Sequence, residues 1–383
     1  MHFRPIGWIF FNQSSDIIIN FYLNSGSIYE AVINLGKYAS ENMLGMNMKE
    51  DRILLDHGSG GKISHHLISD MVLPLFQNPI LNRLDDGAVF QVGDKFLAFS
   101  TDSYVVDPVF FPGGSIGDLA VNGTVNDISM CGAAPLYISL ALMIEEGFPI
   151  YDLKRILDDV KTAAEKAGVS VITGDTKVVP KGAMDKIFIN TAGVGELYNG
   201  FQVSGRNAKP GDKIILSGMM ADHGVTILAA REGLNLTTSV KTDSAPLNHM
   251  VGGLFRSGVE VHVLRDPTRG GVGTTLNEIA LSAGVGIRIH EKRLPVRKEV
   301  LGVCELLGLD PLYLANEGKL LAFVAEKDVE MALAIIRNDP FGKDAAVIGE
   351  AVSDHPGKVV METPIGGTRI VDMLTGDQLP RIC

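Results

Sequence analysis

The chain has 383 residues, of which 46% are hydrophobic and 21% are charged, and its formal net charge is −11. This length accommodates two domains of ordinary size, and the composition is that of a folded globular protein, which argues against disorder and against fibrous repeats. The negative net charge argues against binding to nucleic acid, because that binding depends on clustered Lys and Arg.

The cysteines and the lengths of the apolar runs indicate in which cellular compartment the protein is expected. Cys131, Cys304 and Cys383 are an odd number with no Cys-x-x-Cys spacing, which favours a reducing compartment over a disulfide framework and gives no support to a structural zinc site. The longest nearly unbroken apolar run, residues 136–144, is far shorter than the ~20 residues that cross a bilayer. We therefore expect a cytoplasmic protein that contacts neither nucleic acid nor membrane.

The first 47 residues differ in character from the rest of the chain. Aromatic side chains alternate there with Asn, Ser and Gln, and no helical periodicity persists. A signal peptide needs an unbroken apolar segment, and polar residues 12–16 interrupt the candidate. We interpret residues 1–47 as an atypical, poorly ordered N-terminal extension upstream of a functional start near Met46 or Met48.

A small-residue loop follows, with Gly58, Ser59, Gly60, Gly61 and Lys62 in succession before a helical pattern that begins at residue 63. A glycine-rich loop that enters a helix offers backbone N–H groups to phosphate oxygens. The spacing is not that of a Walker A loop. A flexible surface turn is the alternative interpretation.

Two β-rich runs, 88–92 and 95–99, are divided by Gly93-Asp94, which predicts a β-hairpin. Asp85 and Asp86 precede the first run and Asp102 follows the second, so antiparallel pairing would bring Asp86 and Asp102 to the same end. Clustered carboxylates of this kind suit Mg²⁺.

Ser115 is the predicted N-cap of a helix that runs towards Cys131. Asn126 and Asp127 lie on this helix. Polar residues among apolar neighbours in a helix are more often capped or exposed to solvent than ligating, but a third acidic position close to the first two favours a metal site. We interpret Cys131 as a buried structural thiol.

The remainder of the first domain reads as a strand over 135–144, a helix over 151–167, a strand from residue 169 and a strand over 187–196. We predict that Gly174-Asp175-Thr176-Lys177 is a turn at a strand end that places Asp175 beside Lys177, with ordinary surface pairing as the alternative. Residues 199–207 read as a linker.

A second alternation of strands and helices begins near residue 213. The strand over 261–265 leads into Asp266, Thr268, Gly270 and Gly271 before a helix, which is a geometry typical of phosphate or metal–phosphate binding. Glu317 precedes a strand over 319–324, and a further strand covers 347–352. We predict domains at 48–200 and 205–355, followed by a closing segment and mobile tail at 356–383.

The chain ends on a thiol, Cys383. Its free pKa is near ~8.5, and the adjacent terminal carboxylate disfavours a resting thiolate except as Arg381 offsets that charge. A side chain on a free end can enter a pocket and leave it again. The alternative is an exposed cysteine at a frayed end.

Taken together, these segments resemble the HypE family of hydrogenase maturation proteins. The resemblance covers residues 51–383. The HypE family belongs to a superfamily that also contains aminoimidazole ribonucleotide synthetase, selenophosphate synthetase and thiamine-monophosphate kinase. Most of the single motifs are common to the whole superfamily. The terminal Pro-Arg-Ile-Cys motif is the one that distinguishes the HypE family from the other members. The matching segments are 56–62, 84–87, 100–102, 125–127, 174–177, 266–271, 315–318 and 380–383.

The resemblance implies an α/β (α+β) fold of two domains, ATP and Mg²⁺ as cofactors, and a homodimer formed by the N-terminal domains. It implies that Cys383 receives a carbamoyl group from the carbamoyltransferase HypF. ATP then phosphorylates the carbamoyl oxygen, and loss of phosphate and a proton leaves a thiocyanate. The cyanide passes to iron held by HypC and HypD for the nickel-iron hydrogenase centre.

The same resemblance assigns roles to residues. Lys177 and Glu317 are the candidates for orienting and deprotonating the modified Cys383 thiol. The expected metal ligands are Asp85, Asp86, Asp102, Asp127 and Asp266. The expected nucleotide-binding residues are Gly58, Ser59, Gly60, Gly61, Lys62, Asn126, Asp175, Thr268, Gly270 and Gly271.

Two other functions remain compatible with these observations. One is a superfamily kinase or synthetase that acts on a free small molecule, as selenophosphate synthetase does; that family carries its reactive Cys or selenocysteine near the glycine-rich loop, where this chain has none. The other is a non-catalytic thiol scaffold, which would leave the acidic cluster unexplained.

Overall fold

A computed structural model describes residues 52–58, 60–198, 202–231, 239–375 and 381–383. The predicted N-terminal extension and Ser59 lie outside the described residues. One compact unit spans Leu54–Cys383, and everything below concerns that unit. No helix in the described part of the chain is long and apolar enough to cross a membrane.

The predicted helix after the glycine-rich loop is present. It consists of α1 (Lys62–Leu67) and α2 (Leu73–Phe76), joined by a π-helical turn over Ile68–Val72. Its apolar side chains are largely exposed: Leu75 is 77% and Phe76 63% accessible.

The first domain is built on a five-stranded sheet, sheet 1, with the strand order β1-β2-β7-β5-β6. The predicted hairpin is confirmed, with Ala88 opposite Phe99. Neighbouring strands are antiparallel except for β5 and β6, which are parallel. The strands of the domain are β1 (Ala88–Val92), β2 (Lys95–Tyr104), β3 (Phe110–Phe111), β4 (Gly114–Ser115), β5 (Ala133–Glu145), β6 (Ser170–Val179) and β7 (Ile187–Leu197), of which β3 and β4 form a separate pair.

Two helices, α3 (Ile116–Met130) and α4 (Ile150–Ala167), belong to this domain. Ser115 is the N-cap of α3, as predicted, and forms a capping box with Asp118, which satisfies backbone N–H groups that a helix start leaves open. Almost every residue of α3 is buried. This helix is therefore the core of the first domain, and its polar side chains are buried with it.

The predicted turn at Gly174–Lys177 is wrong, because these residues lie within β6, at the edge of sheet 1. The run of β-branched residues continues on both sides of Gly174, which favours a strand. A Cβ on Gly174 would lie 2.1 Å from the Leu140 carbonyl oxygen. The glycine is thus explained by the close approach of β5, and not by a turn.

The second domain is built on a seven-stranded sheet, sheet 2, with the order β14-β13-β10-β12-β8-β11-β9. Its strands are β8 (Lys213–Leu216), β9 (Val261–Arg265), β10 (Gly286–His290), β11 (Leu321–Val324), β12 (Ala346–Val352), β13 (Val359–Glu362) and β14 (Thr368–Val371). Its helices are α5 (Asp222–Arg231), α6 (Asn248–Arg256), α7 (Gly271–Ala283), α8 (Lys298–Leu307) and α9 (Val329–Asn338).

Both faces of sheet 2 are buried. Ile214 packs in the cluster that contains α7, and its neighbour Ile215 packs in the cluster that contains α6 and α9, as the alternation of side chains along a strand requires. The sheet continues to Val371, beyond residue 355, where the sequence placed the end of this domain.

Candidate active site

The two domains meet at the buried end of α3. Asn126 donates to the carbonyls of Ala245 (3.1 Å) and Glu317 (3.4 Å), and its own side-chain oxygen accepts from the N–H of Leu247 (2.8 Å). Only 1% of Asn126 is exposed. The residue predicted to bind nucleotide therefore joins helix α3 to two loops of the second domain.

Four of the five predicted metal ligands approach one another at this junction. Burial raises the pKa of Asp127 well above its usual value, and the charges of Asp266, Asp86 and Asp102 raise it further. Ser100 partly offsets this by donating to Asp127 (2.7 Å). Asp127 lies on α3, Asp266 follows the end of β9, and Asp86 lies in the segment before β1. Asp102 lies on β2.

Asp85 is placed differently from the other four. Its Oδ1 accepts from the Ser204 hydroxyl (2.8 Å) and from the Gly205 N–H (3.1 Å). It therefore holds the segment between the domains, while its charge contributes to the raised pKa of Asp86.

Arg265 is the counter-charge of this cluster, and it was not identified from the sequence. Its guanidinium lies 2.6 Å from Asp86 and 2.8 Å from Glu278. Burial raises the pKa of Asp86 well above its ordinary value despite Arg265, and burial raises that of Asp266 to about 6. The signal in the sequence that could have identified Arg265 is a basic residue at a strand end, directly before Asp266.

The donor set fits a hard cation. One oxygen of Asp86 and one of Asp266 are buried without a hydrogen-bond partner, and such atoms are costly unless a ligand satisfies them. No three His, Cys, Asp or Glu side chains of the described residues form a ready-made metal cage. Mg²⁺ ordinarily takes only one or two protein carboxylates and completes its shell with water and substrate phosphates.

The glycine-rich loop lies against the loop that follows β9. Arg269 donates to the Gly58 carbonyl (2.7 Å), and a Cβ on Gly60 would meet Arg269 at 3.2 Å. Gly61 is the N-cap of α1. The next residue, Lys62, pairs with Asp372 at 2.9 Å, and both side chains are substantially exposed.

The loop from Thr268 to Gly271 forms the N-terminal entry of α7. Gly270 and Gly271 both have positive φ, 79° and 64°, and a Cβ on Gly271 would lie 2.6 Å from the Leu312 carbonyl oxygen. The Gly271 N–H donates to the Thr268 carbonyl. Backbone geometry therefore requires both glycines, which the sequence had assigned to phosphate binding.

Glu317 lies beside this junction and is only 3% exposed. Its Oε1 has no hydrogen-bond partner. Burial, followed by the charges of Asp243, Asp266 and Asp102, raises the pKa of Glu317 well above its usual value. A buried carboxyl group with a raised pKa is a candidate for proton transfer in a reaction.

Tyr104 and Asp243 are site residues that sequence reasoning missed. Tyr104 is 1% exposed, and burial, followed by the charges of Asp102 and Asp127, raises its pKa well above the ordinary value, with Glu317 contributing. Asp243 accepts from the backbone N–H groups of Glu317 and Gly318. Tyr104 is an aromatic residue at a strand end, which is typical of a core position, and Asp243 lies in a loop without periodicity. Neither pattern indicates a functional site.

Cys383 is docked and only 8% exposed. Its carbonyl accepts from the N–H of Val105 (3.0 Å), and the carbonyl of Arg381 accepts from the N–H of Asp107 (3.2 Å). Cys383 packs in the same apolar cluster as Ala315, two residues before Glu317. The terminal residues thus lie beside the chain that follows β2, with Arg381 in a bend of positive φ (57°).

Lys177 and Asp175 do not join this group within one chain. They pair with each other at 2.8 Å on the exposed edge strand β6. Lys177 is opposite Met143, whose neighbours Leu142 and Ile144 point into the cluster that contains Cys383. Because side chains alternate along a strand, Lys177 points to the opposite face of sheet 1. The expectation that Lys177 lies where the tail enters is therefore wrong for a single chain.

Comparisons with known proteins agree with this arrangement. Residues 84–197 match the family model of AIR synthase related protein, N-terminal domain, and residues 209–362 match its C-terminal domain. The carbamoyl dehydratase HypE of Azotobacter vinelandii is 47% identical over 338 residues, which are 88% of this chain and 99% of the relative.

The chain belongs to the HypE family. A solved structure of the hydrogenase maturation protein HypE in complex with ATP is 53% identical, with a TM-score of 0.74, and the match covers 87% of this chain and all of that one, 100%. A chain of a solved HypE–HypF complex is 47% identical, with a TM-score of 0.77, and the match covers 80% of this chain and 99% of that one. The family predicted from the sequence and the two-domain α/β fold are confirmed.

The buried amide of Asn126 gives a test of how the HypE domains are joined. We expect Asn126→Ala to lower the free energy of unfolding by about 2–4 kcal/mol, because it leaves backbone groups of two interdomain loops without partners. Denaturant unfolding without nucleotide measures this. Asn82→Ala, at an exposed position, is the control, and equal stability of the two variants would contradict the interpretation.

Proposed function

We propose that the chain is an ATP-dependent carbamoyl dehydratase that converts a carbamoyl group on Cys383 to a thiocyanate for the cyanide ligands of the nickel-iron hydrogenase centre. The single observation that carries this proposal is the docked terminal thiol. Cys383 is buried beside the loop that contains Glu317, although it ends the chain. A superfamily kinase acting on a free small molecule has no need of such a docked terminus.

The chemistry explains the requirement for ATP. An amide oxygen is a poor leaving group, whereas a phosphorylated oxygen leaves as phosphate. The S-carbamoyl group and ATP give thiocyanate, ADP, phosphate and a proton. The C–O bond breaks, the C–N bond becomes triple, and both N–H protons are lost, one on phosphorylation and one on elimination. One of them ends on the departing phosphate, as hydrogen phosphate, and the other is released.

Glu317 is the proposed base for these protons. It is buried, one of its oxygens has no hydrogen-bond partner, and its pKa is raised by burial, so it binds a proton more strongly than an ordinary carboxylate. Asp243 fixes the backbone of the Glu317 loop from the other side. The loop therefore presents the carboxyl group in a defined position.

Asp86, Asp127 and Asp266 are the proposed principal ligands of Mg²⁺, with Asp102 close by. Bound Mg²⁺ would neutralise charge on the transferring phosphoryl group. Gly58 to Lys62, Thr268 and the N–H groups that enter α7 are the proposed phosphate-binding backbone. The ATP-bound relative supports a nucleotide in this fold.

We also propose a homodimer through the face of sheet 1 that lies opposite its helices. Phe99 and Tyr137 flank Val194 across three neighbouring strands, and they are 42% and 46% exposed. An exposed apolar row of this kind is typical of an interface. In a dimer, Lys177 would act at its partner's site or serve the interface, since it faces away from its own Cys383.

HypF is the proposed donor of the carbamoyl group, and one matched structure is described as a HypE–HypF complex. HypC and HypD are the proposed acceptors of the cyanide. The proposed compartment is the cytoplasm, where thiols remain reduced. A reducing compartment would keep the Cys383 thiol out of disulfides.

Glu317→Gln tests the assigned base. We expect the variant to accept the carbamoyl group on Cys383 but not to dehydrate it, because an amide cannot take up the protons. Intact-protein mass spectrometry after incubation with HypF, carbamoyl phosphate and ATP measures both steps. Normal water loss would remove Glu317 from this role.

Donor-dependent ATP turnover should disappear in Cys383→Ala, and full turnover there would overturn the proposed function.

The metal assignment predicts two opposite effects of Asp266→Asn. We expect it to raise the thermal midpoint of metal-free protein, because it removes a buried, poorly compensated charge, and to abolish the further rise produced by MgCl₂. Calorimetry near neutral pH after chelation measures both. Asp354→Asn, at an exposed position, is the control, and a wild-type response to MgCl₂ in Asp266→Asn would contradict the assignment.

The dimer surface predicts that Phe99→Glu shifts the protein to monomers, because it buries a charge in an apolar interface. Light scattering coupled to size exclusion measures the mass. Ile150→Glu, a charge at a 79% exposed apolar position on α4, should remain dimeric. A dimeric Phe99→Glu variant would exclude this face.

A further inference from the structure

The carbonyl groups of the docked segment are held by side chains as well as by the backbone of residues 105–107. Arg231, at the end of α5, donates from Nη2 to the Arg381 carbonyl (2.7 Å) and from Nε to the Asp107 carbonyl (2.9 Å). A single guanidinium thus joins the terminal segment to the chain beside which it lies.

His223 holds the next residue. Its Nε2 lies 2.8 Å from the Ile382 carbonyl, and its Nδ1 lies 2.8 Å from the Thr242 hydroxyl. A carbonyl can only accept, so Nε2 carries the proton, and the Thr242 hydroxyl donates to Nδ1 of the neutral ring. His223 is 0% exposed and packs edge-on against Phe111. The imidazole is therefore fixed in one tautomer and one orientation.

The side chain of Arg381 is also recognised. Its Nη1 lies 2.5 Å from Asp185, and its Nε donates to the Val105 carbonyl (3.0 Å). The Asp185 and Arg381 side chains are 44% and 29% exposed, so this pair contributes less than a buried contact. Ile382 enters the apolar cluster at 5% exposure. Both the backbone and the side chains of the segment are therefore bound.

We propose that His223, Arg231 and Asp185, here called the clasp, form a recognition site for the C-terminal Arg-Ile-Cys segment and are positioning residues for Cys383. This inference deepens the proposed function and rests on it for its purpose. The clasp fixes the backbone on both residues that precede the thiol. The position of the thiol is therefore set by binding of the segment and not by its tether alone.

The contacts define what the clasp accepts. A lysine at position 381 could not satisfy Asp185 and the Val105 carbonyl together, because it lacks the guanidinium fork. A charged residue at 382 would be buried in an apolar cluster at high cost. The site is therefore selective for a cationic, forked side chain followed by an aliphatic one.

The rate at which Cys383 is alkylated in the full-length chain tests this. Undocking exposes the thiol, so we expect Arg231→Met and His223→Leu to raise the Cys383 rate by about tenfold or more, since each removes a buried or charge-assisted hydrogen bond. The change should be smaller in Asp185→Asn. Iodoacetamide labelling followed by mass spectrometry of the C-terminal peptide gives the rate.

The chain supplies two controls. Arg337→Met removes a guanidinium that likewise holds one backbone carbonyl, that of Ala345, and should leave the Cys383 rate unchanged. Cys131 and Cys304 are buried and report unfolding, since faster labelling of these thiols would mark a misfolded variant. If His223→Leu fails this check, Arg231→Met and Arg381→Lys still decide the question.

Rescue separates recognition from general destabilisation. His223→Gln keeps an N–H donor and should retain much of the protection that His223→Leu loses. Joining Asp185→Arg to Arg381→Glu should restore part of the protection that either change removes alone. Unchanged Cys383 rates in Arg231→Met and in folded His223→Leu would overturn the clasp. The rate requires neither ATP nor a carbamoyl donor, so it stands apart from failure of the proposed dehydration.

Discussion

Buried negative charge at the junction of the two domains is the constraint on which the rest of the structure depends. The charges of Asp86 and Asp266 raise the pKa of Asp127, that of Asp266 also raises the pKa of Asp86, and Arg265 lies beside Asp86 as a counter-charge. Such a group is costly to bury in a small core. The three carboxylates come from separate elements, α3, the residue after β9 and the segment before β1, and this arrangement suits a site whose ligands carry phosphate and metal.

The elements were largely predictable, because hydrophobic periodicity and turn residues specify them locally. The hairpin, the Ser115 cap and the strand that ends at Arg265 are present as expected. The Gly174–Lys177 segment was misread since a glycine beside polar residues normally indicates a turn. Only the neighbouring strand explains that glycine, and sequence alone does not show which strand passes close to it.

The site was predicted in its chemistry but less well in its geometry. Asp102 and Asp266 lie close enough to Glu317 to raise its pKa, whereas Lys177 faces away and Asn126 joins the domains. Tyr104, Arg265 and the clasp were missed. Each acts through contacts with residues distant in the sequence, and such contacts leave no local periodicity or spacing that could reveal them.

The Asn126 amide has a consequence for how the protein can move. One side chain satisfies groups in two loops of the opposite domain from the C-terminal part of a buried helix. A hinge at this point would have to break three hydrogen bonds of a side chain that is only 1% exposed. These hydrogen bonds therefore oppose hinge motion between the two domains at this junction. An inhibitor designed for this junction would have to fit a surface whose shape these hydrogen bonds hold, because the two domains would not adjust around it.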